Sequence, residues 1–139
     1  MAITSITPYL LFNGNADAAL ELYQKALGAK VEGLMRWGDH EQSCGEADKT
    51  KIMHALLLMG ETRLMLSDSP GDHPTAPGAN VQVAVNVDDV DQLQQIFTAL
   101  SDGGQVEMQP HDAFWGDRFA ALVDRFGVHW MLTSPLKKA

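Results

Sequence analysis

Five histidines, at positions 40, 54, 73, 111 and 129, are the side chains here best suited to ligate a metal or move a proton near neutral pH. None stands at ligand spacing from another. There is no His-x-x-x-His, no cysteine cluster and no carboxylate triad at helical spacing. His54, between Met53 and Ala55 in an apolar run, reads as a hydrogen-bonded sheet histidine or as a site residue. His129 alternates with Trp130, and reads as a polar lining residue or a solvent-facing one. His73, in a Pro/Gly connector, and His40, in an acidic loop, read as exposed. The sole cysteine, Cys44, sits among Glu41, Glu46 and Asp48, whose charge disfavours a thiolate, so it does not read as a nucleophile. No nucleophile-and-base pair is visible.

Binding chemistry is easier to find. Arg63, Met65 and Ser67 alternate along one strand and share a face, and Tyr9 and Leu11 share another. If Met65 lines a cleft, Arg63 and Ser67 offer a cation and a hydroxyl to an anionic or carbonyl-bearing ligand. Arg63 also reads as half of a rim ion pair. Phe114-Trp115-Gly116 suits either a lid over a ligand or an apolar plug at a module edge or dimer contact. The methionines at 35, 53, 59, 65, 108 and 131 read mostly as core, with a few as adaptable pocket wall. Trp37, Phe119 and Trp130 read as packing residues.

The elements that must position these residues come in two copies. In the first, an apolar run at 6–12 leads to a helix over 15–27, where Leu20, Tyr23 and Leu27 follow the helical period, and Gly28 ends it. Asn13 or Asn15 is the expected N-cap. A strand at 30–37, a mobile polar loop at 38–49 and a hairpin of 51–58 with 62–67 follow, the hairpin turning at Gly60. After a Pro/Gly-dense connector, the run at 81–87 opens a second copy. Asp88-Asp89 cap a helix carrying Val90, Leu93, Ile96, Phe97 and Leu100, and Gly103-Gly104 end it. Strands are expected at 105–110, 118–123 and 128–133. Tyr23 and Phe97 lie 74 residues apart, and Val31-Glu32 and Val106-Glu107 lie 75 apart.

Composition narrows the function classes. At 139 residues with 45% hydrophobic and 20% charged content, the chain reads as one folded domain. A net charge of −8 and only the Lys137-Lys138 tail as a basic run argue against binding nucleic acid or an anionic membrane. The apolar runs are strand-sized and the start lacks a signal-peptide pattern, so a cytoplasmic protein is expected, and the lone cysteine suits a reducing compartment.

The chain resembles the PhnB-like branch of the vicinal oxygen chelate superfamily, the glyoxalase, bleomycin-resistance and extradiol-dioxygenase group, over its whole length. The resemblance rests on Pro8-Tyr9-Leu10-Leu11-Phe12-Asn13-Gly14-Asn15-Ala16, on Leu20, Tyr23 and Leu27-Gly28-Ala29, and on Met65-Leu66-Ser67-Asp68. It rests most specifically on Phe114-Trp115-Gly116 and Val123-Asp124-Arg125-Phe126-Gly127-Val128 with Trp130-Met131. It implies an α+β fold of two βαβββ modules, about 1–70 and 80–135, forming a curved mixed sheet around a cleft in a single domain, usually as a homodimer. Metal-dependent relatives take one ligand from the first strand and a Glu from the last strand of each module. Carried over, those positions are Pro8, Met65, Gln82 and Met131. Proline has no ligating side chain, a thioether is too soft for Mn²⁺, Mg²⁺ or Ni²⁺, and Gln82 offers only a weak amide oxygen. The usual metal site therefore reads as lost, and no cofactor is expected.

The preferred reading is a metal-free small-molecule binding protein. Its ligand would meet Tyr9, His54, Arg63, Met65 and Ser67 from the first copy, and Gln82, Trp115, His129 and Met131 from the second. The alternative is a metal-dependent lyase, isomerase or dioxygenase-like enzyme acting on a small oxygen-rich substrate. A third reading is an interaction module acting through its dimer surface. The ubiquinone-pathway methyltransferase label that some relatives carry finds no support, because no glycine-rich turn joins a strand to a nucleotide-binding helix.

Overall fold

A computed structural model describes residues 2–40 and 45–136 of the chain. Cys44 with Glu41, and the Lys137-Lys138 tail, lie outside the described residues, as does the centre of the loop expected at 38–49. The chain divides into two compact units, residues 1–76 and 77–139, each with its own core.

The first unit holds β1 (Tyr9–Phe12), α1 (Ala16–Leu27), β2 (Lys30–Arg36), a one-turn α2 (Trp37–His40), β3 (Ile52–Met59) and β4 (Thr62–Asp68). Its sheet runs in the order β1-β4-β3-β2. β1 is parallel to β4, and the β2–β3 and β3–β4 pairs are antiparallel. The second unit repeats the plan with β5 (Val83–Asn86), α3 (Val90–Ser101), β6 (Gln105–Asp112), β7 (Asp117–Val123) and β8 (His129–Pro135). Its sheet order is β5-β8-β7-β6, with β5 parallel to β8. The α+β architecture of two βαβββ copies is as the sequence predicts.

Each helix forms because its apolar positions recur on one face and that face is buried on its sheet. α1 buries Ala16, Ala19, Leu20, Tyr23 and Ala26, with the Tyr23 ring against Phe12 at 6.4 Å between centroids. α3 buries Leu93, Ile96, Phe97 and Leu100. The opposing strands supply Leu57, Leu64 and Leu66 in the first unit, and Leu122, Trp130 and Leu132 in the second. α1 stops at Gly28, whose φ of 68° lets its N–H reach the Gln24 carbonyl.

The helix starts differ from each other. Asp89 caps α3 as expected, accepting from the Asp91 N–H at 2.8 Å. Asn15 holds the N-cap position of α1, as expected, but its side chain accepts no capping hydrogen bond. Asp68, at the end of β4, takes that role from 52 residues away along the chain. Its Oδ1 accepts from Gly14 N–H (2.8 Å) and Ala16 N–H (2.9 Å), and its Oδ2 from Ile52 N–H (3.0 Å). Asn13 is engaged instead with the connector, exchanging two hydrogen bonds with the Thr75 backbone.

Candidate functional site

In each unit one sheet face carries the helix and the other turns away from it. Strand pairing assigns the residues to these faces, since paired residues project to the same side. On the first sheet the face away from α1 carries Tyr9 beside Met65, Leu11 beside Ser67, Leu56 beside Met65, and Met35 beside His54. Tyr9, Leu11 and Met35 are exposed large hydrophobics, while Ser67 is buried. The Tyr9 hydroxyl lies 3.1 Å from His54 Nδ1 and the two rings are tilted, 5.8 Å apart. This contact crosses β4, so the Tyr9–His54 pair arches over the strand that holds Met65. Arg63 shares this face by alternation, is exposed, and pairs across the strands with Leu58. The Arg63 rim ion pair has no counterpart among the described residues.

On the second sheet the face away from α3 carries Ala84 beside Met131, Asn86 and Phe119 beside Thr133, Ala121 beside Met131, and Val123 beside His129. The His129 Nδ1 lies 3.5 Å from a Glu107 carboxylate oxygen and is buried. Further along, Phe119 meets His111 and Trp115 edge-on at 6.2 and 5.7 Å, and Trp115 meets Phe114 at 5.1 Å. Phe114 and Trp115 occupy the turn before β7, as expected, and both are exposed. Trp130 faces the core, where its indole N–H donates to Asp124 at 2.9 Å.

The first-strand register differs from the expected one. Pro8 and Gln82 each precede a strand, and the residues paired beside Met65 and Met131 are Tyr9 and Ala84. The resemblance puts Pro8 at the first-strand ligand position, but the alternation in β1 puts Leu10 and Phe12 toward α1 and leaves Tyr9 and Leu11 on the other face. Gln82 is exposed, its amide donating to the Ala79 carbonyl at 3.3 Å. A divalent centre of the kind the resemblance implies does not fit these positions, which offer a phenol, a methyl group and two thioethers. Among the described residues no three His, Cys, Asp or Glu side chains converge in a way that could hold a metal ion.

Sequence reasoning named Tyr9, His54, Met65, Ser67, His129 and Met131 as ligand-binding candidates but set Tyr9 on a face apart from Met65 and Ser67. Strand pairing brings Tyr9, His54, Met65 and Ser67 to one face of the first sheet, and His129 and Met131 to one face of the second. Sequence reasoning missed Glu107. The signal for it was present, because Val31-Glu32 and Val106-Glu107 recur at the repeat spacing, and both glutamates fall where the strand register shifts.

The sequence pattern of the Glyoxalase/Bleomycin resistance protein/Dioxygenase superfamily matches residues 5–132. The chain belongs to this superfamily. Within it, the chain is 28% identical over 138 residues to Protein YjdN of Escherichia coli K12, covering 91% of this chain and 92% of that protein. Among solved structures, protein PA1353 of Pseudomonas aeruginosa superposes with a TM-score of 0.88 at 36% identity, covering 96% of this chain and 98% of that one. The PhnB protein of Bacillus cereus, which also bears a 3-demethylubiquinone-9 3-methyltransferase name, gives a TM-score of 0.80 at 23% identity, over 94% and 99% of the chains. That last likeness is one of fold. Among the described residues no helix is long and apolar enough to cross a membrane.

Proposed function

We propose that this superfamily member binds a small, mostly apolar molecule without a resident metal, on the sheet face that carries Tyr9, His54, Met65 and Ser67. The observation that supports this reading is the Tyr9–His54 pair crossing β4 on the sheet face that carries Met65. A phenol and an imidazole orient a polar group on the ligand, while Leu11, Leu56 and Met35 offer adaptable apolar contact. A thioether beside the phenol, where metal-dependent relatives hold a carboxylate, favours binding over metal-assisted chemistry. On this reading the chain acts as one domain, as a homodimer, in the cytoplasm.

The test joins two measurements on tag-free protein. Elemental analysis after incubation with Mn²⁺, Fe²⁺, Co²⁺, Ni²⁺ and Zn²⁺ is expected to find well under one ion per chain. Thermal unfolding against a panel of small aromatic phenols and ketones is expected to find stabilisation without turnover. A ligand at a hundred times its Kd adds about 2.7 kcal/mol. One tightly held ion per chain, with turnover, would replace this reading with the metal-dependent lyase, isomerase or dioxygenase-like one.

A further inference from the structure

His129 Nδ1 is buried and has no hydrogen-bond partner among the described residues. Its neighbour is the Glu107 carboxylate at 3.5 Å, within ion-pair reach but longer than a formed N–H···O bond. A buried ring nitrogen held in that condition is costly unless something completes the pair. The other ring nitrogen, Nε2, carries no hydrogen bond among the described residues and is not closed off, and the side chain keeps 16% of its surface.

Glu107 reaches this place by a local device. Val106 pairs with Leu122 and Met108 with Ala121, so Glu107 is the extra residue of a bulge in β6. Bulges re-aim a side chain at a small cost in pairing. The first unit bulges at the matching place, where Val31 pairs with Leu57 and Gly33 with Leu56, leaving Glu32 as the extra residue. Counting from the paired methionines, Met65 and Met131, the counterpart of His129 is Arg63. Both copies thus combine a bulged glutamate with a basic residue two positions before the methionine. Only the second copy brings them into contact.

We propose that Glu107 and His129 form a proton-accepting dyad that binds a neutral, mostly apolar molecule through one acidic hydroxyl, a phenol or an enol. This site belongs to the second unit's sheet, stands in addition to the first-unit face proposed above, and names its own ligand class. The carboxylate holds the proton on Nδ1, which leaves the lone pair on Nε2. The ligand's O–H bond breaks as an Nε2–H bond forms. The ring becomes an imidazolium between the ligand's oxyanion and Glu107, and the charge it gains draws the Nδ1–Oε1 contact together. The ligand must arrive neutral, because Glu107 and a chain of net charge −8 repel an anion. Its body meets Val123, Ala121 and Met131, which flank His129 on this face. The other nearby charges have partners of their own. Arg125 faces Asp102 at 3.5 Å, and Asp124 accepts from Phe126 N–H, Val128 N–H and the Trp130 indole.

The experiment titrates the full chain with p-nitrophenol and with p-nitroanisole, which has the same ring and no acidic proton. The wild-type chain is expected to bind the phenol more tightly, with the phenolate absorption band growing on binding at a pH where the free probe is mostly protonated. His129→Gln is expected to weaken phenol binding about tenfold, and Glu107→Gln several-fold, with p-nitroanisole unchanged in both. In the unmodified chain, ¹⁵N NMR should show both nitrogens of His129 moving to imidazolium positions as the phenol binds, a readout independent of any variant. Equal affinity for both probes, or phenol binding that survives His129→Gln, overturns the dyad while the apolar-face reading stands. Binding of neither probe likewise overturns the dyad, while the first-unit face is judged by its own thermal screen.

Discussion

Asp68 shows how one buried side chain can organise three elements. Its carboxylate takes two N–H groups at the start of α1 and one at the start of β3, and Trp37 donates its indole N–H to the Asp68 carbonyl at 3.3 Å. Asp68→Ala leaves two buried donors and one part-buried donor without an acceptor and is expected to cost about 3–5 kcal/mol in urea unfolding. A loss under 1 kcal/mol would mean that water or Asn15 replaces the carboxylate. The sequence could not show this, since Asn13 and Asn15 sit where a local cap belongs and only tertiary pairing brings position 68 to them. The face shared by Met65 and Ser67 was legible, because period-two alternation needs no tertiary knowledge, but Tyr9 joining it was not, because that depends on β1 pairing with β4. The Tyr9–His54 contact was not, as it depends on β4 lying between β1 and β3. Because that pair is exposed, Tyr9→Phe should change unfolding by no more than about 0.5 kcal/mol. The same variant should weaken a ligand found in the thermal screen about fivefold to tenfold. Unaltered affinity would remove Tyr9 from the site.

At the scale of elements, repetition in the sequence became repetition of strand order, helix placement and even irregularity. The hairpin of β3 and β4 was legible from two apolar flanks around Gly60, which adopts a φ of 62°. The end of α3 was legible as Gly103-Gly104, but its reason is structural. A Cβ on Gly104 would lie 2.2 Å from the Val123 carbonyl oxygen, where β7 hands over to the last turn. Gly104→Ala must push backbone against backbone, so a loss of about 2 kcal/mol or more is expected in chemical denaturation. The bulges were illegible, since an extra residue in a strand leaves no mark on a short alternating pattern. Between β2 and β3, Asp48 is tied to Lys51 at 2.8 Å. The Lys51 side chain, opposed by burial and aided by the Gly71 N–H, holds this carboxyl below its ordinary value of 3.8. A carboxylate depressed in the folded state stabilises the fold above its unfolded value, and that contribution fades as pH falls through the folded one. NMR titration should therefore place the Asp48 midpoint below 3.8, and Lys51→Met should raise it.

For the molecule as a whole, the apolar surface and the net charge pull in opposite directions. Phe114 is 97% exposed and Trp115 52%, the two meeting edge-on with Trp115 also edge-on to Phe119, and an aromatic cluster of this kind is typical of a contact surface. A chain carrying −8 repels its own copy. If homodimerisation runs through the aromatic turn, added salt should strengthen it, because screening removes repulsion and leaves apolar burial intact. The Debye length falls from about 30 Å at 0.01 M to about 8 Å at 0.15 M, short enough to silence most of the repulsion between facing copies. Sedimentation velocity should then show the dimer fraction rising over that range, and Phe114→Ser with Trp115→Ala should lower it at every salt concentration. Weakening by salt would point to ion pairs such as Arg118–Asp112 opening to the partner instead. A dimer indifferent to both aromatic changes would free Phe114 and Trp115 for the lid role, and the variants' affinity for p-nitrophenol would then decide it.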